Sequence, residues 1–313
     1  MSDLSKGILL VCISVLANAL MSLFYKLIPA DVSIYEKLLT RGAASVIIAY
    51  SFIYAMRRKA KTSNNPGQII PAYFSQKGNF ALMLVRAVSG SLAILTYIYI
   101  VDALSLSDAD MLNKLAAVFI IIIGAFWLKS DSINLVQVLV VIISLVGAAF
   151  IIKPSFDNPL LGSYLIGILQ AILAAIAYLA VRYLLATAKN KEHPISVESS
   201  YALVTLLISV IPAVYYFTGW EGKALAYTYL ALATAFAVVA QYTFSYAMKF
   251  APAVEVNVYQ YLSLLWTSLF GWIFFAFIPD FYTVLGYVLI IFGGVMLYVY
   301  NLRQYRQAKA KLN

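Results

Sequence analysis

The chain has 313 residues, 63% of them hydrophobic and only 11% charged, with a mean hydropathy of +0.88. A soluble globular domain carries about a quarter of its residues as charges, so composition excludes one and makes lipid the expected solvent. The net charge of +9 points to basic cytoplasmic loops and not to nucleic acid, while the single Cys12 excludes an internal disulfide and the single His193 a histidine-rich metal site.

Apolar runs separated by charged and turn residues predict ten crossings, each far longer than the roughly 10 residues of a barrel strand. The first, 7–27, imitates a signal peptide down to Ala17-Asn18-Ala19. Its apolar run continues to Leu27, so it reads as a retained span. The second, 34–56, carries Arg41, and the third, 79–101, carries Arg86, Tyr97 and Tyr99. The fourth, 107–128, opens with Asp108, Asp110, Asn113 and Lys114. The fifth is 133–152, the sixth, 160–186, holds Tyr178, and the seventh is 195–217. Gln241, Tyr242 and Tyr246 lie in the eighth, 226–247; Asn257, Tyr259, Gln260 and Tyr261 in the ninth, 252–277; the tenth is 281–301.

Lysine and arginine set the expected orientation. With the N-terminus inside, the inner loops and tail receive Lys6, Arg57, Arg58, Lys59, Lys61, Lys77, Lys129, Lys189, Lys191, Lys249, Arg303, Arg306, Lys309 and Lys311. The outer loops receive Lys26, Lys37, Lys153 and Lys223. Both termini are therefore expected in the cytoplasm, on a multi-pass protein of the cytoplasmic (inner) membrane.

The halves repeat. "DALSLSDADMLNKL" (102–115) lies over "YAMKFAPAVEVNVY" (246–259), matching Ala103 with Ala247, Ala109 with Ala253 and Asn113 with Asn257. "LVQVLVVIISLVGAAF" (135–150) lies over "FYTVLGYVLIIFGGVM" (281–296), matching Val138 with Val284, Leu139 with Leu285 and Gly147 with Gly293. Five spans per half is an odd number, so the second half enters upside down. The expected fold is all-α, ten transmembrane helices in two inverted five-helix repeats, 1–153 and 154–313. Inverted repeats belong to secondary transporters, with the substrate site near the midplane.

Charges inside a span are expensive and face a wet cavity or a partner. Asp108 and Asp110 fit either the positive end of a helix dipole or an outer vestibule. Lys114 is one turn below Asp110 on the same face, placed to pair with it or to line the cavity. Arg41 is read as the partner of a carboxylate such as Glu36 or Asp102, or as a cavity residue; Arg86 snorkels or lines the pathway. Deep tyrosines (Tyr97, Tyr99, Tyr178, Tyr242, Tyr259) with Gln241, Gln260, Asn113 and Asn257 suit either interhelical hydrogen bonds or a pocket for a solute with flat and polar parts.

On Arg41 in "KLLTRGAASVI", Arg86 and Tyr99 in "VRAVSGSLAILTYIYI", the helix starts "LSDAD" and "APAVE", and "YQYL" before "GWIFFAFIPD", the chain resembles the drug/metabolite transporter superfamily. It is most similar to the ten-helix EamA-type carriers of the S-adenosylmethionine uptake and solute-carrier 35G branch. Three positions depart from that pattern: Ala117 stands where the family has a proline in the fourth span, and Ser130 and Phe277 stand where it has glutamates. The resemblance implies alternating access around a cavity between the first, third, fourth, sixth, eighth and ninth spans.

The expected function is a secondary transporter of a small polar organic metabolite, zwitterionic or cationic: an amino acid, or a nucleoside-type solute such as S-adenosylmethionine. The expected site residues are Arg41, Arg86, Tyr97, Tyr99, Asp110, Asn113, Lys114, Tyr178, Gln241, Tyr242, Asn257, Tyr259 and Gln260. No cofactor or metal is expected. The expected partners are the small-molecule substrate and the lipid bilayer, with a coupling proton admitted by the buried carboxylates, and monomer and homodimer both open. The absence of a P-loop and of a nucleophile–base set argues against direct ATP coupling and against an intramembrane enzyme. A non-transporting receptor or scaffold, or an intramembrane enzyme, is the alternative; uptake into proteoliposomes discriminates, flux supporting a carrier and bound ligand without flux a receptor.

Overall fold

A computed structural model describes residues 3–29, 31–62, 70–127, 135–152, 158–217, 219, 221–250, 259–260 and 262–310. The helices are α1 (Asp3–Leu27), α2 (Ile34–Thr62), α3 (Phe80–Ala103), α4 (Leu106–Lys114), α5 (Ala116–Trp127), α6 (Leu135–Ile152), α7 (Leu161–Arg182), α8 (Pro194–Tyr215), α9 (Ala224–Phe250), α10 (Leu262–Phe275) and α11 (Phe281–Ala310). Eight of them are long and apolar enough to cross a bilayer; α10 is shorter, and α4 with α5 makes one broken crossing. These are the ten expected crossings. Helices are the physical solution because lipid offers no partner for a backbone N–H or C=O.

Buried hydroxyls follow the same rule. Ser91 and Thr205 each bond a carbonyl one turn back in their own helix and then meet each other at 2.7 Å, joining α3 to α8. Ser14 donates to the Ala240 carbonyl at 2.7 Å, joining α1 to α9. Large apolar side chains such as Ile211 (78% exposed) and Val214 point outward, as a lipid coat requires.

The helix pairing respects a two-fold exchange of the halves. α1 packs along α9, and its counterpart α7 along α3; α2 packs on α8 and α6 on α11, each pair mapping onto itself. Glycines make the α6–α11 seam close: a Cβ on Gly286 would meet the Gly147 carbonyl at 2.5 Å, and one on Gly147 would meet the Gly286 carbonyl at 2.9 Å.

The fourth crossing departs from the single helix expected over 107–128. It breaks at Leu115, whose N–H turns back to the Leu112 carbonyl, and α5 starts at Ala116. The break occurs with alanine at position 117, so proline is not what makes it. Ser105 caps α4 by accepting from the Asp108 N–H at 3.0 Å.

Even-numbered crossings place the start of α1 and the end of α11 on one face, called terminal here; the other is distal. The distal face is tied shut by polar side chains. The Lys37 ammonium, 1% exposed, bonds both Asp102 carboxylate oxygens at 2.8 and 2.7 Å and the Tyr25 carbonyl at 3.1 Å. Lys26 caps the end of α3 through the Val101 and Leu104 carbonyls. Tyr227 donates to Glu36 at 2.9 Å, and Lys223 pairs with Asp31 at 3.6 Å. Together these join the distal ends of α1, α2, α3 and α9. On the terminal face, Glu192 accepts from the Gln76 N–H at 2.6 Å and from Asn79 at 2.8 Å, holding the α7–α8 connection against the start of α3.

Candidate functional site

A narrow cavity of about 20 Å³ lies between α2, α8 and α9, lined by Arg41, Ser45, Ala49, Glu198, Tyr201, Ala237, Val238, Gln241 and Tyr242. Arg41 is the seventh residue beyond the start of α2 at the distal side, and Glu198 the fourth beyond the start of α8 at the terminal side. At 1.5 Å per residue, the lining runs from the middle of the bundle toward the terminal face. There is room for about one water.

Arg41, 9% exposed, directs one guanidinium nitrogen at the Met21 sulfur, 2.9 Å away, with the Tyr25 and Tyr201 hydroxyls beside it. Arg86, 8% exposed, lies over the Tyr201 ring at 4.8 Å and against Gly90, and its Nε has no hydrogen-bond partner. The ion pairs among the described residues involve neither arginine. The carboxylate partner expected for Arg41 is therefore not Glu36, which bonds Tyr227, nor Asp102, which bonds Lys37. A buried charge without a counter-ion costs about 3 kcal/mol or more in a membrane, so two such guanidiniums need an explanation beyond packing.

Tyr178 supplies a third element. It continues the face of α7 formed by Gly167, Ala171 and Ala174, all buried, yet it is 52% exposed. That face lies opposite the lipid-facing Leu165 and Leu169, at about 100° per residue. Its ring thus lies on the side of α7 away from those leucines, close enough to Arg86, Glu198 and Arg41 for their charges to act on its hydroxyl.

A second polar cluster surrounds α4. Asp110, 1% exposed, accepts from Lys114 at 3.2 Å and from Ser263 of α10 at 2.5 Å. Asp108 accepts from Tyr287 of α11 at 2.7 Å and Tyr164 of α7 at 3.2 Å. Asn113 accepts from Gln170 of α7 at 2.9 Å. This cluster cross-links the broken crossing to three helices of the second half. Lys114 therefore pairs with Asp110 at the break; Asn257 lies outside the described residues.

The remaining expected residues divide. Gln241 and Tyr242 line the cavity. Tyr97 bonds Ser22 at 2.9 Å and Tyr99 meets Ser163 at 3.3 Å, so both face neighbouring helices. Tyr259 packs against Val11 and Ala247, and the Gln260 carbonyl accepts from Ser263. The sequence reading names neither Tyr201, Gln170 nor Glu198 as a site residue; spacing on one helix carries no information about which side chains meet across α2, α8 and α9. The cavity also lies among the second, seventh and eighth crossings, a different set from the one the resemblance implied. A larger hollow of about 260 Å³ is lined only by apolar residues of α5, α6 and α7 with Leu115, and lacks the groups to orient a polar solute.

Ten apolar crossings around a polar internal site define a multi-pass integral membrane transporter of small metabolites, not an enzyme. The EamA-like transporter family model matches residues 5–153 and again 162–299, and the chain belongs to that family. The pseudopaline exporter CntI of Pseudomonas aeruginosa is 26% identical over 302 residues, covering 94% of this chain and 96% of the exporter. The riboflavin transporter of Brucella anthropi is 27% identical over 227 residues, 71% of this chain and 76% of that protein. One solved crystal structure superimposes with a TM-score of 0.54 at 16% identity, covering 96% of this chain and 99% of that one, which shows the fold alone.

Proposed function

We propose that the protein is a secondary carrier that moves a small polar organic metabolite, an amino acid or a nucleoside-type solute such as S-adenosylmethionine, across the cytoplasmic membrane by alternating access. The observation that carries this reading is the cavity of Arg41, Glu198, Tyr201, Gln241 and Tyr242, which combines charge, amide and aromatic faces between helices of both halves. Residues 1–153 and 154–313 act as the two inverted repeats, rocking about the shared α6–α11 seam. The lysine and arginine bias supports a terminal face, with both termini, in the cytoplasm. In that orientation the structure is closed to the outside by the Lys37–Asp102 lock, and the cavity leads inward.

The relatives named for pseudopaline export and riboflavin transport support an organic solute over an inorganic ion. The test is uptake into proteoliposomes of labelled amino acids and S-adenosylmethionine, with Gln241→Ala and Tyr242→Ala beside the native protein. Saturable flux that both substitutions weaken supports the reading. Binding without flux makes the protein a receptor, and flux unchanged in both variants moves the pathway elsewhere.

A further inference from the structure

We propose that the Arg41–Tyr201–Arg86 cluster is the subsite for a carboxylate of the transported solute, so that the carrier selects solutes that bear a free carboxylate. This rests on the carrier reading above and narrows its substrate class.

Three observations converge. Two guanidiniums, both more than nine-tenths buried, approach one tyrosine, Arg86 over its ring and Arg41 beside its hydroxyl. Neither has a carboxylate partner: Arg41 meets a thioether sulfur and the neutral Tyr25 and Tyr201 hydroxyls, and the Nε of Arg86 is orphaned. Glu198 shares the cavity with Arg41 and acts with both arginines on Tyr178.

A guanidinium presents a planar fork of donors that matches a carboxylate. A solute that brings a carboxylate supplies the fork with the acceptor it lacks, whereas the amide of the same shape brings no counter-charge. Arg41 lines the cavity and is the contact residue. Arg86 acts through Tyr201 and is a positioning residue, its own carboxylate contact requiring only that the ring swing aside as the cavity opens. The half-exposed Tyr178 ring supplies a flat wall for the rest of the molecule.

The experiment uses the purified full chain and matched probes: indole-3-acetate against indole-3-acetamide, nicotinate against nicotinamide, and phenyl phosphate. Thermal unfolding is followed over a concentration series, and each acid is tested for inhibition of proteoliposome uptake. The native protein is expected to be stabilised at least tenfold more strongly by the acids than by their amides, with phenyl phosphate weaker than the acids. Arg41→Gln is expected to erase the acid-over-amide preference. Arg41→Lys keeps part of it. Tyr201→Phe, which retains the ring under Arg86, reduces it without lowering the ligand-free melting temperature. Equal response to acids and amides, a stronger response to phenyl phosphate, or an unchanged preference in Arg41→Gln would overturn the proposal. Saturable uptake inhibited only by solutes that lack a carboxylate, with the acids inert, would leave the carrier standing and sink the carboxylate subsite. Loss of all flux with the acid preference intact would do the reverse.

Discussion

Replacing Asp102 by Asn tests the distal lock. Lys37 is 1% exposed and its ammonium has three close partners, two of them the Asp102 oxygens. The substitution removes the counter-charge and leaves the ammonium with the Tyr25 carbonyl and a neutral amide. Breaking a fully buried ion pair costs about 3–5 kcal/mol. Asp102 is 33% exposed, so solvent screening brings the expected cost to about 1–3 kcal/mol. The lock exists only while the distal face is closed, so the loss appears as a population shift of about 5- to 150-fold toward the distally open state. The assay is maleimide labelling of a Ser22→Cys reporter in a Cys12→Ser background. Ser22 is 1% exposed and one turn below the lock on α1, where it bonds Tyr97. Asp102→Asn should raise the labelling rate at least fivefold. Asp102→Leu combined with Lys37→Met, which removes both charges, should bring it back toward the native value. An unchanged rate in Asp102→Asn, with an unchanged melting temperature, would show that the pair does not hold the face shut.

The remaining predictions concern stability. Gly286→Ala places a methyl group against the Gly147 carbonyl and should lower stability by about 1–3 kcal/mol, while Gly162→Ala, with nothing within 4 Å, should be nearly silent; thermal unfolding compares them. Ala276 closes α10 in the left-handed region at φ +50°, its N–H bonding the Trp272 carbonyl at 3.1 Å, so Ala276→Gly should stabilise by about 1 kcal/mol in the same measurement. His193 caps α8 by accepting from the Ile195 N–H at 3.2 Å, and burial holds its pKa below the ordinary 6.5. The unfolded imidazole therefore binds a proton more readily than the folded one. The cap's contribution is whole above about pH 6.5 and is lost as pH falls through the depressed value. Hydrogen-exchange protection at the start of α8, taken relative to the intrinsic rate at each pH, should fall on acidification in the native protein and stay level in His193→Asn.

Much of the fold was legible because lipid leaves few choices. Runs of roughly 20 apolar residues gave the crossings, and the matched glycines Gly147 and Gly293 lie in the α6–α11 seam. The break at Leu115 was not legible, since nothing in "NKLAAVF" breaks a helix locally and Lys114 with Asp110 gave only an i,i+4 pair. The site was legible in part. Arg41, Gln241 and Tyr242 stood out because polar groups are costly in a span, and they line one cavity. Tyr97 and Tyr99 carried the same signal but spend their hydroxyls on Ser22 and Ser163. A deep tyrosine looks alike in sequence whether its hydroxyl meets a solute or the next helix, and Tyr201, the residue that joins the two arginines, differs from them only in its neighbours.

The most direct test of the account is counterflow in proteoliposomes reconstituted with the native chain and with Arg41→Gln. Vesicles preloaded with an unlabelled amino acid or S-adenosylmethionine receive the labelled solute outside. The account predicts transient accumulation above equilibrium in the native protein, because an alternating site exchanges one solute for another, and its loss in Arg41→Gln at unchanged protein abundance. Equal accumulation in the two proteins, or saturable binding with no accumulation in either, would contradict it.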